Sequence, residues 1–307
     1  MVVCSIIIPT LNGLSELKKN EAILMKLTTE QSYEVIIVDS GSTDGTKEWA
    51  EENSFKLLSI SKRDFNHGGT RNLAAKASKG DILVFLTQDA ILIDTDSIDR
   101  LISSILKDES VGMAYGRQLP HKNAKLMGAF ARIYNYPEKS EIKSINRKSV
   151  LGIKTVFCSN SFAAYRKEYL EKIGNFPNDV ILGEDTYVCG KLLLSGYKCV
   201  YNAEAKVEHS HDYSIWEEFK RYFDIGVFHA KEFWIVEEFN SAEGEGSKFV
   251  IEQFKYILKK KSYHRIPELI LRNGMKYIGY KLGRSEKKIK LGVKMRMTMH
   301  KSYWFKS

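Results

Sequence analysis

The residues best suited to chemistry are Asp39, Asp89, Asp185, His209 and His211, and each stands at the edge of a patterned run. Carboxylates exchange protons and bind hard cations, and a neutral imidazole adds a nitrogen ligand, so the set suits a divalent metal, a general base, or both. Asp89 closes the run Asp81-Ile82-Leu83-Val84-Phe85-Leu86-Thr87-Gln88-Asp89-Ala90, whose apolar centre is too continuous to alternate faces. It reads as a strand buried on both sides of a sheet, with Asp89 at the carboxyl end, where open α/β sheets bind ligands. An aspartate capping the following turn would fit the same place. Asp89 with His209 or His211 offers oxygen and nitrogen to an octahedral Mg²⁺ or Mn²⁺ completed by a diphosphate. Such an ion neutralises a departing nucleoside diphosphate. Asp185, beside Glu184 at a helix start, is then free to act as base on an incoming hydroxyl, although a carboxylate there also complements the helix dipole.

Asp39 opens the turn Asp39-Ser40-Gly41-Ser42-Thr43-Asp44-Gly45, which suits a base or a ribose. The chain has no GxGxxG and no GxxxxGK[ST], so neither a dinucleotide fold nor a P-loop is indicated. In His67-Gly68-Gly69-Thr70-Arg71-Asn72 the glycines permit close backbone approach, a helix N-terminus favours an anion, and Arg71 can pair with phosphate oxygens. A tight turn into a helix would use the same residues.

These positions need strands to hold them. Val2 to Pro9, Tyr33 to Val38, Phe55 to Ile60 and the Asp89 run read as strands, with helical patterns over Leu14 to Leu27, Thr46 to Asn53 and Leu73 to Ser78. Repeated βα units predict right-handed crossovers and a mostly parallel central sheet with flanking helices. Residues 120–150 are polar, basic and weakly patterned, and are expected to form a mobile excursion over the site. Thr155 to Tyr165 returns to an extended pattern, Thr186 to Ser195 reads as a helix with Gly196 at its C′ position, and Lys198 to Tyr201 and Ala205 to Glu208 read as two short strands delivering His209 and His211. From Trp216 onward the pattern is helical and aromatic, broken at Glu243-Gly244-Glu245-Gly246. That break divides an α/β catalytic region, 1–240, from a helical C-terminal region, 247–307.

With 307 residues, 43% hydrophobic and 28% charged, the chain has ordinary globular composition. Cys4, Cys158, Cys189 and Cys199 have no ligand-like spacing, which predicts reduced, packed thiols and a cytoplasmic protein. The N-terminus lacks signal-peptide features and no apolar run reaches about 18 residues, so neither export nor a membrane span is expected. The net charge of +9 is uneven: residues 248–307 hold 17 Lys and Arg against 3 Asp and Glu, whereas residues 1–247 hold 30 against 35. A basic, aromatic tail predicts contact with a phosphate-bearing surface, and Ile266, Leu269, Ile270, Tyr277 and Tyr280 are expected to share a helical face toward the inner leaflet of the cytoplasmic membrane.

Ser5-Ile-Ile-Ile-Pro-Thr-Leu-Asn12, Asp39-Ser-Gly-Ser-Thr-Asp-Gly45, Gln88-Asp89 and Glu184-Asp185 together resemble a family 2 glycosyltransferase of the GT-A fold. Within that family, Phe65-Asn66-His67-Gly68-Gly69-Thr70-Arg71-Asn72, Thr87-Gln88-Asp89-Ala90, His209-Ser-His-Asp-Tyr213 and Gly279-Tyr280-Lys281-Leu282-Gly283-Arg284 are similar to bacterial rhamnosyltransferases. The resemblance implies a Rossmann-like domain and inverting transfer of L-rhamnose from dTDP-β-L-rhamnose to a cell-surface polysaccharide or lipid-linked precursor. It implies Asp185 as base beside Glu184. Pro9, Thr10, Asn12, Asp39, His67, Gly69, Arg71, Gln88 and Asp89 would face the nucleotide-sugar donor, Asp89 and His209 a Mg²⁺ or Mn²⁺, and Asn160 and His211 the acceptor. The family's DxD carboxylate pair is here Thr87-Gln88-Asp89, with one carboxylate replaced by an amide. The alternatives are a nucleotidyltransferase, which would release pyrophosphate, and a nucleic-acid-binding protein using tail aromatics such as Phe249, Phe254, Tyr256, Tyr277, Tyr280 and Trp304; no nucleic-acid-binding motif accompanies them, so no nucleic-acid partner is expected. Homo-oligomerisation is left open.

Overall fold

The computed structural model describes residues 4–30, 33–240 and 243–305. Val2 and Val3 of the first expected strand lie outside that range, and the strand runs over Cys4–Thr10 as β1. Then follow α1 (Leu14–Glu30), β2 (Glu34–Asp39), α2 (Thr46–Glu52), β3 (Lys56–Ser59), α3 (His67–Ala77) and β4 (Ile82–Leu86). Ile6, Ile7, Ile8, Ile36, Ile37, Leu83, Val84 and Phe85 are wholly buried, as strands covered on both faces require. β1 pairs in parallel with β2 and β4, and β2 with β3. Their register sets Thr10 opposite Asp39, so the strands' carboxyl ends open on one edge.

The next elements are β5 (Ile91–Leu92), α4 (Ser97–Leu106), β6 (Val111–Leu119), α5 (Leu126–Asn135), β7 (Glu141–Lys143), α6 (Lys148–Leu151), β8 (Phe162–Arg166), α7 (Lys167–Lys172), α8 (Glu184–Leu194) and β9 (Lys198–Glu208). The sheet order is β3-β2-β1-β4-β8-β6-β9-β5, with β7 on β9. β8 lies antiparallel between β4 and β6, while β6 and β9 run parallel. The sheet is therefore mixed, not mostly parallel: a buried apolar run identifies a strand but carries no sign of its direction. Residues 120–150 are also more regular than expected, because Met127 and Phe130 anchor α5 on its inner face. The two short strands expected before His209 are one strand, β9, whose register against β6 shifts between Gly116 and Arg117.

The C-terminal part comprises α9 (Ile215–Lys231), α10 (Phe233–Phe239), α11 (Glu243–Lys259), α12 (Ile266–Arg284) and α13 (Leu291–Met297). Ser214 and Glu217 form a capping box that starts α9. Glu243 to Gly246, expected as a break, opens α11 instead. Along α12, Gly279 and Gly283 let the helix meet α9 backbone to backbone: a Cβ on Gly279 would come within 2.5 Å of the Phe219 carbonyl oxygen, and one on Gly226 within 2.9 Å of the Gly283 Cα. Leu269 and Tyr280 are buried while Ile270 and Tyr277 are exposed, so the expected single apolar face is split between a packed side and an outer side. All four cysteines are buried and unpaired with one another.

Candidate active site

A cavity of about 630 Å³ opens where the carboxyl ends of β4 and β9 meet α3, α5, α8, α9 and α12. Asp89 follows β4 and His209 follows β9, where β6 holds it: the His209 amide donates to the Leu119 carbonyl at 2.8 Å. His209 Nε2 lies 3.4 Å from Asp89 Oδ2, and His211 Nε2 lies 3.7 Å from the same oxygen. One ligand atom from each of the three residues falls within a 4.8 Å group. Burial alone would raise the Asp89 carboxyl, but the His209 contact and the two imidazoles outweigh it and hold it far below the usual carboxylate range. Burial pushes His209 down and pushes His211 to about 4, so both imidazoles are neutral ligands at neutral pH. His211, expected on the acceptor side, stands instead beside Asp89.

The Glu184-Asp185 pair opens α8 on the cavity floor, and its two carboxylates have diverged. Glu184 is buried and takes Arg71 Nη1 at 3.2 Å and the Asn160 side-chain amide at 3.0 Å. Burial opposes its charge, but Arg71, His67 and Asn160 keep it below its ordinary value, a carboxylate fixed in place. Asp185 accepts backbone N–H bonds from Thr186 at 2.7 Å and Asn160 at 3.1 Å. Desolvation, then the neighbouring Glu184 charge, push it up to about 6. A carboxylate tuned toward neutrality, facing a cavity, is what a general base requires.

Several expected donor contacts are occupied within the protein. Arg71 is held by Glu184 and by the His67 carbonyl at 2.8 Å; its Nε, buried in the cavity wall, has no hydrogen-bond partner. The Gly69 amide donates to the Asn66 side chain as the α3 cap, at 2.8 Å, and is not a free anion donor. Gly68 is there because a Cβ would overlap the Pro177 carbonyl oxygen. His67 does line the cavity, its ring edge-on to His300 at 5.2 Å. Asn160 is taken up on both ends, accepting from the Tyr165 hydroxyl at 2.7 Å while donating to Glu184, so it positions the carboxylate pair.

Pro9, Thr10, Asn12, Asp39 and Gln88 gather beside the cavity at the ends of β1, β2 and β4 but do not line it. Gln88, the amide in place of a carboxylate, accepts from the Thr10 hydroxyl and the Leu11 amide, both at 2.8 Å, and so ties β4 to β1. Asn12 accepts from the Thr43 amide at 2.9 Å, and Asp39 accepts from the Gly41 amide at 2.9 Å with Lys47 at 3.5 Å. Sequence reasoning missed the cavity's far wall: Glu218, Arg221, Arg272 and Lys276, contributed by α9 and α12. Arg272 bonds the Glu218 and Glu268 carboxylates, and Lys276 bonds Glu218 at 3.1 Å. Only the presence of charges within helices otherwise packed on the body could have signalled them.

A mixed sheet with flanking helices, carrying a carboxylate pair and an N,N,O group at its carboxyl edge, is an architecture of the GT-A kind. The chain belongs to glycosyl transferase family 2, whose model matches residues 5–174; it is a glycosyltransferase. It is 45% identical over 302 residues, 98% of this chain and 95% of the relative, to the O-antigen chain rhamnosyltransferase RfbN of Salmonella typhimurium. It is 42% identical, over 98% of this chain and 95% of the relative, to the O-antigen chain rhamnosyltransferase WbaN of Salmonella anatum. Among solved structures it is similar in fold to the mannosyltransferase PcManGT from Pyrobaculum calidifontis in complex with GDP-Man and Mn²⁺, with TM-score 0.62 and 17% identity over 93% of this chain and 88% of that one.

Proposed function

We propose that this glycosyltransferase moves L-rhamnose from dTDP-β-L-rhamnose, with inversion, onto a hydroxyl of a lipid-linked precursor of a cell-surface polysaccharide. The carrying observation is the near full-length identity of 45% to an O-antigen rhamnosyltransferase. Asp185, raised to about 6 on the cavity floor, supplies the base. It takes the acceptor's hydroxyl proton as the new bond forms to the anomeric carbon and the bond from that carbon to the diphosphate oxygen breaks. The Asn160 and Thr186 amides hold Asp185 in place, while Arg71 and the Asn160 side chain fix Glu184 beside it. Asp89, His209 and His211 fit a Mn²⁺ better than a Mg²⁺, because two imidazole nitrogens converge with one carboxylate oxygen and Mg²⁺ takes oxygen ligands. A divalent ion there supplies positive charge to the leaving diphosphate. The nucleotide would lie over the Thr10, Asn12, Asp39 and Gln88 loops, placing its diphosphate toward Asp89 and its sugar toward Asp185.

The membrane role belongs to the same reading. Among the described residues no helix is long and apolar enough to cross a membrane. The outer faces of α11 and α12 expose Ile251, Phe254, Ile270 and Tyr277 near Lys255, Lys259 and Lys281, which fits peripheral attachment to the inner leaflet, with residues 1–240 as catalytic region and 247–307 as the membrane-facing part. Thermal-shift titration with a panel of nucleotide-sugars, with and without Mn²⁺, tests the donor: dTDP-β-L-rhamnose should raise the melting temperature most, and more with Mn²⁺. A larger shift with another nucleotide-sugar overturns the rhamnosyl assignment. Pyrophosphate in place of dTDP among the products would indicate nucleotidyl transfer.

A further inference from the structure

We propose that Gln118 and Arg132 are positioning residues that fix the tautomer of His209, so that its Nε2 presents a bare lone pair to the group formed with Asp89 and His211. Gln118 is the penultimate residue of β6 and is buried at 1% exposure, and its Oε1 lies 2.9 Å from His209 Nδ1. Arg132, on α5, donates through Nη1 to the same Oε1. An amide's oxygen and nitrogen ends are told apart by their partners. A guanidinium carries only donors, so the end of Gln118 that meets Arg132 must be the oxygen. The same oxygen then faces His209 Nδ1, which must be the protonated nitrogen. In a neutral ring, Nε2 is left without a proton, 3.4 Å from a carboxylate oxygen that also has none.

The arrangement has a visible cost. With its oxygen shared by two donors, Gln118 Nε2 is left buried without a hydrogen-bond partner, and so is Arg132 Nε. Unsatisfied buried donors destabilise a fold, so two of them beside a site call for a function. Two lone pairs facing each other at hydrogen-bond distance repel unless a cation lies between them. A metal-binding histidine ordinarily has its other nitrogen held by an acceptor in this way, and loss of the acceptor typically weakens metal binding by about 10–100-fold.

The inference rests on the metal assignment, and two measurements separate the pair. Long-range ¹H–¹⁵N spectra of the metal-free protein read the tautomer directly. The wild type and Gln118→Glu, which keeps an acceptor, should show His209 protonated at Nδ1; Gln118→Met should move the proton to Nε2, toward Asp89. Arg132→Met, which frees the amide to turn over, should give a mixture. Mn²⁺ titration should then show Gln118→Met weakened about 10–100-fold with Gln118→Glu close to wild type. A wild type protonated at Nε2, or a Gln118→Met protein with unchanged tautomer and Mn²⁺ affinity, overturns the positioning role. A wild type with the Nδ1 tautomer but no Mn²⁺ binding leaves Gln118 and Arg132 as orienting residues and overturns the metal assignment alone.

Discussion

Asp185 and Glu184 are neighbours in sequence with opposite fates: burial opposes the charge of both, but Glu184 is compensated by Arg71, whereas Asp185 is raised by desolvation and then by the Glu184 charge. As the proposed base, Asp185 is active as a carboxylate, and its folded-state value is raised to about 6, so kcat/KM should fall as the pH is lowered through about 6 and level off above it. Asp185→Asn should lose about 10²- to 10⁴-fold in turnover and with it this acid limb. A pH profile flat across that region, or an Asn variant keeping more than about a third of the wild-type rate, would remove Asp185 from the role. Glu184→Gln should shift the acid limb to lower pH, because the neighbouring charge that raises Asp185 is gone. It should also destabilise the fold by about 3–5 kcal/mol by leaving the buried Arg71 without a carboxylate counter-charge, measurable as a drop in the unfolding free energy.

At the scale of elements, the seam between α9 and α12 is built on Gly226, Gly279 and Gly283, which allow the two backbones to touch. Gly283→Val should force the helices apart and cost about 1–3 kcal/mol or more, read as a lowered Tm, while Gly274→Ala, where a Cβ meets nothing within 4 Å, should be neutral or slightly stabilising. Equal Tm values for the two variants would show that the seam is not held by backbone contact. The sequence disclosed β1, β2 and β4 because continuous apolar runs have few other uses, and it disclosed Asp89, Asp185 and His209 because each ends or opens such a run. It did not disclose α5, whose inner face rests on only Met127 and Phe130. Nor could it disclose Arg71 held by Glu184 or Gln118 held by Arg132, since those partners meet only through the fold. The glycines of His67-Gly68-Gly69 suggested a phosphate cradle, yet the same permissiveness serves a close chain crossing at Pro177.

Over the whole molecule, positive charge and exposed apolar side chains fall on the same C-terminal helices. Lys287, Lys288 and Lys290 are exposed, and Leu291 and Val293, about half exposed, follow them. Each such cation near an anionic surface contributes about 1 kcal/mol, screened within a Debye length. Co-sedimentation should therefore require anionic liposomes, weaken as salt rises, and fall when the three lysines are changed to Glu. Equal recovery in the supernatant with neutral and anionic liposomes at low salt would return these residues to a purely solvating role. The aromatics once open to base stacking are largely engaged elsewhere: Phe249 meets Phe130 at 5.2 Å, Tyr256 meets Phe130 at 5.2 Å, and Tyr280 and Trp304 are buried.

The glycine seam also bears on how the far wall of the cavity could vary. Glu218 and Arg221 on one side of the seam and Arg272 and Lys276 on the other form a single cavity wall, and the residues that join the two helices are ones no side chain can replace. The far wall is thus inherited as one block. A hybrid that takes α12 from a relative without its matching α9 would bring together two surfaces shaped for different partners, whereas an exchange beginning before Ser214 would carry the wall across intact. A chain exchange ahead of α9 would therefore keep the packed wall, and one between α9 and α12 would not.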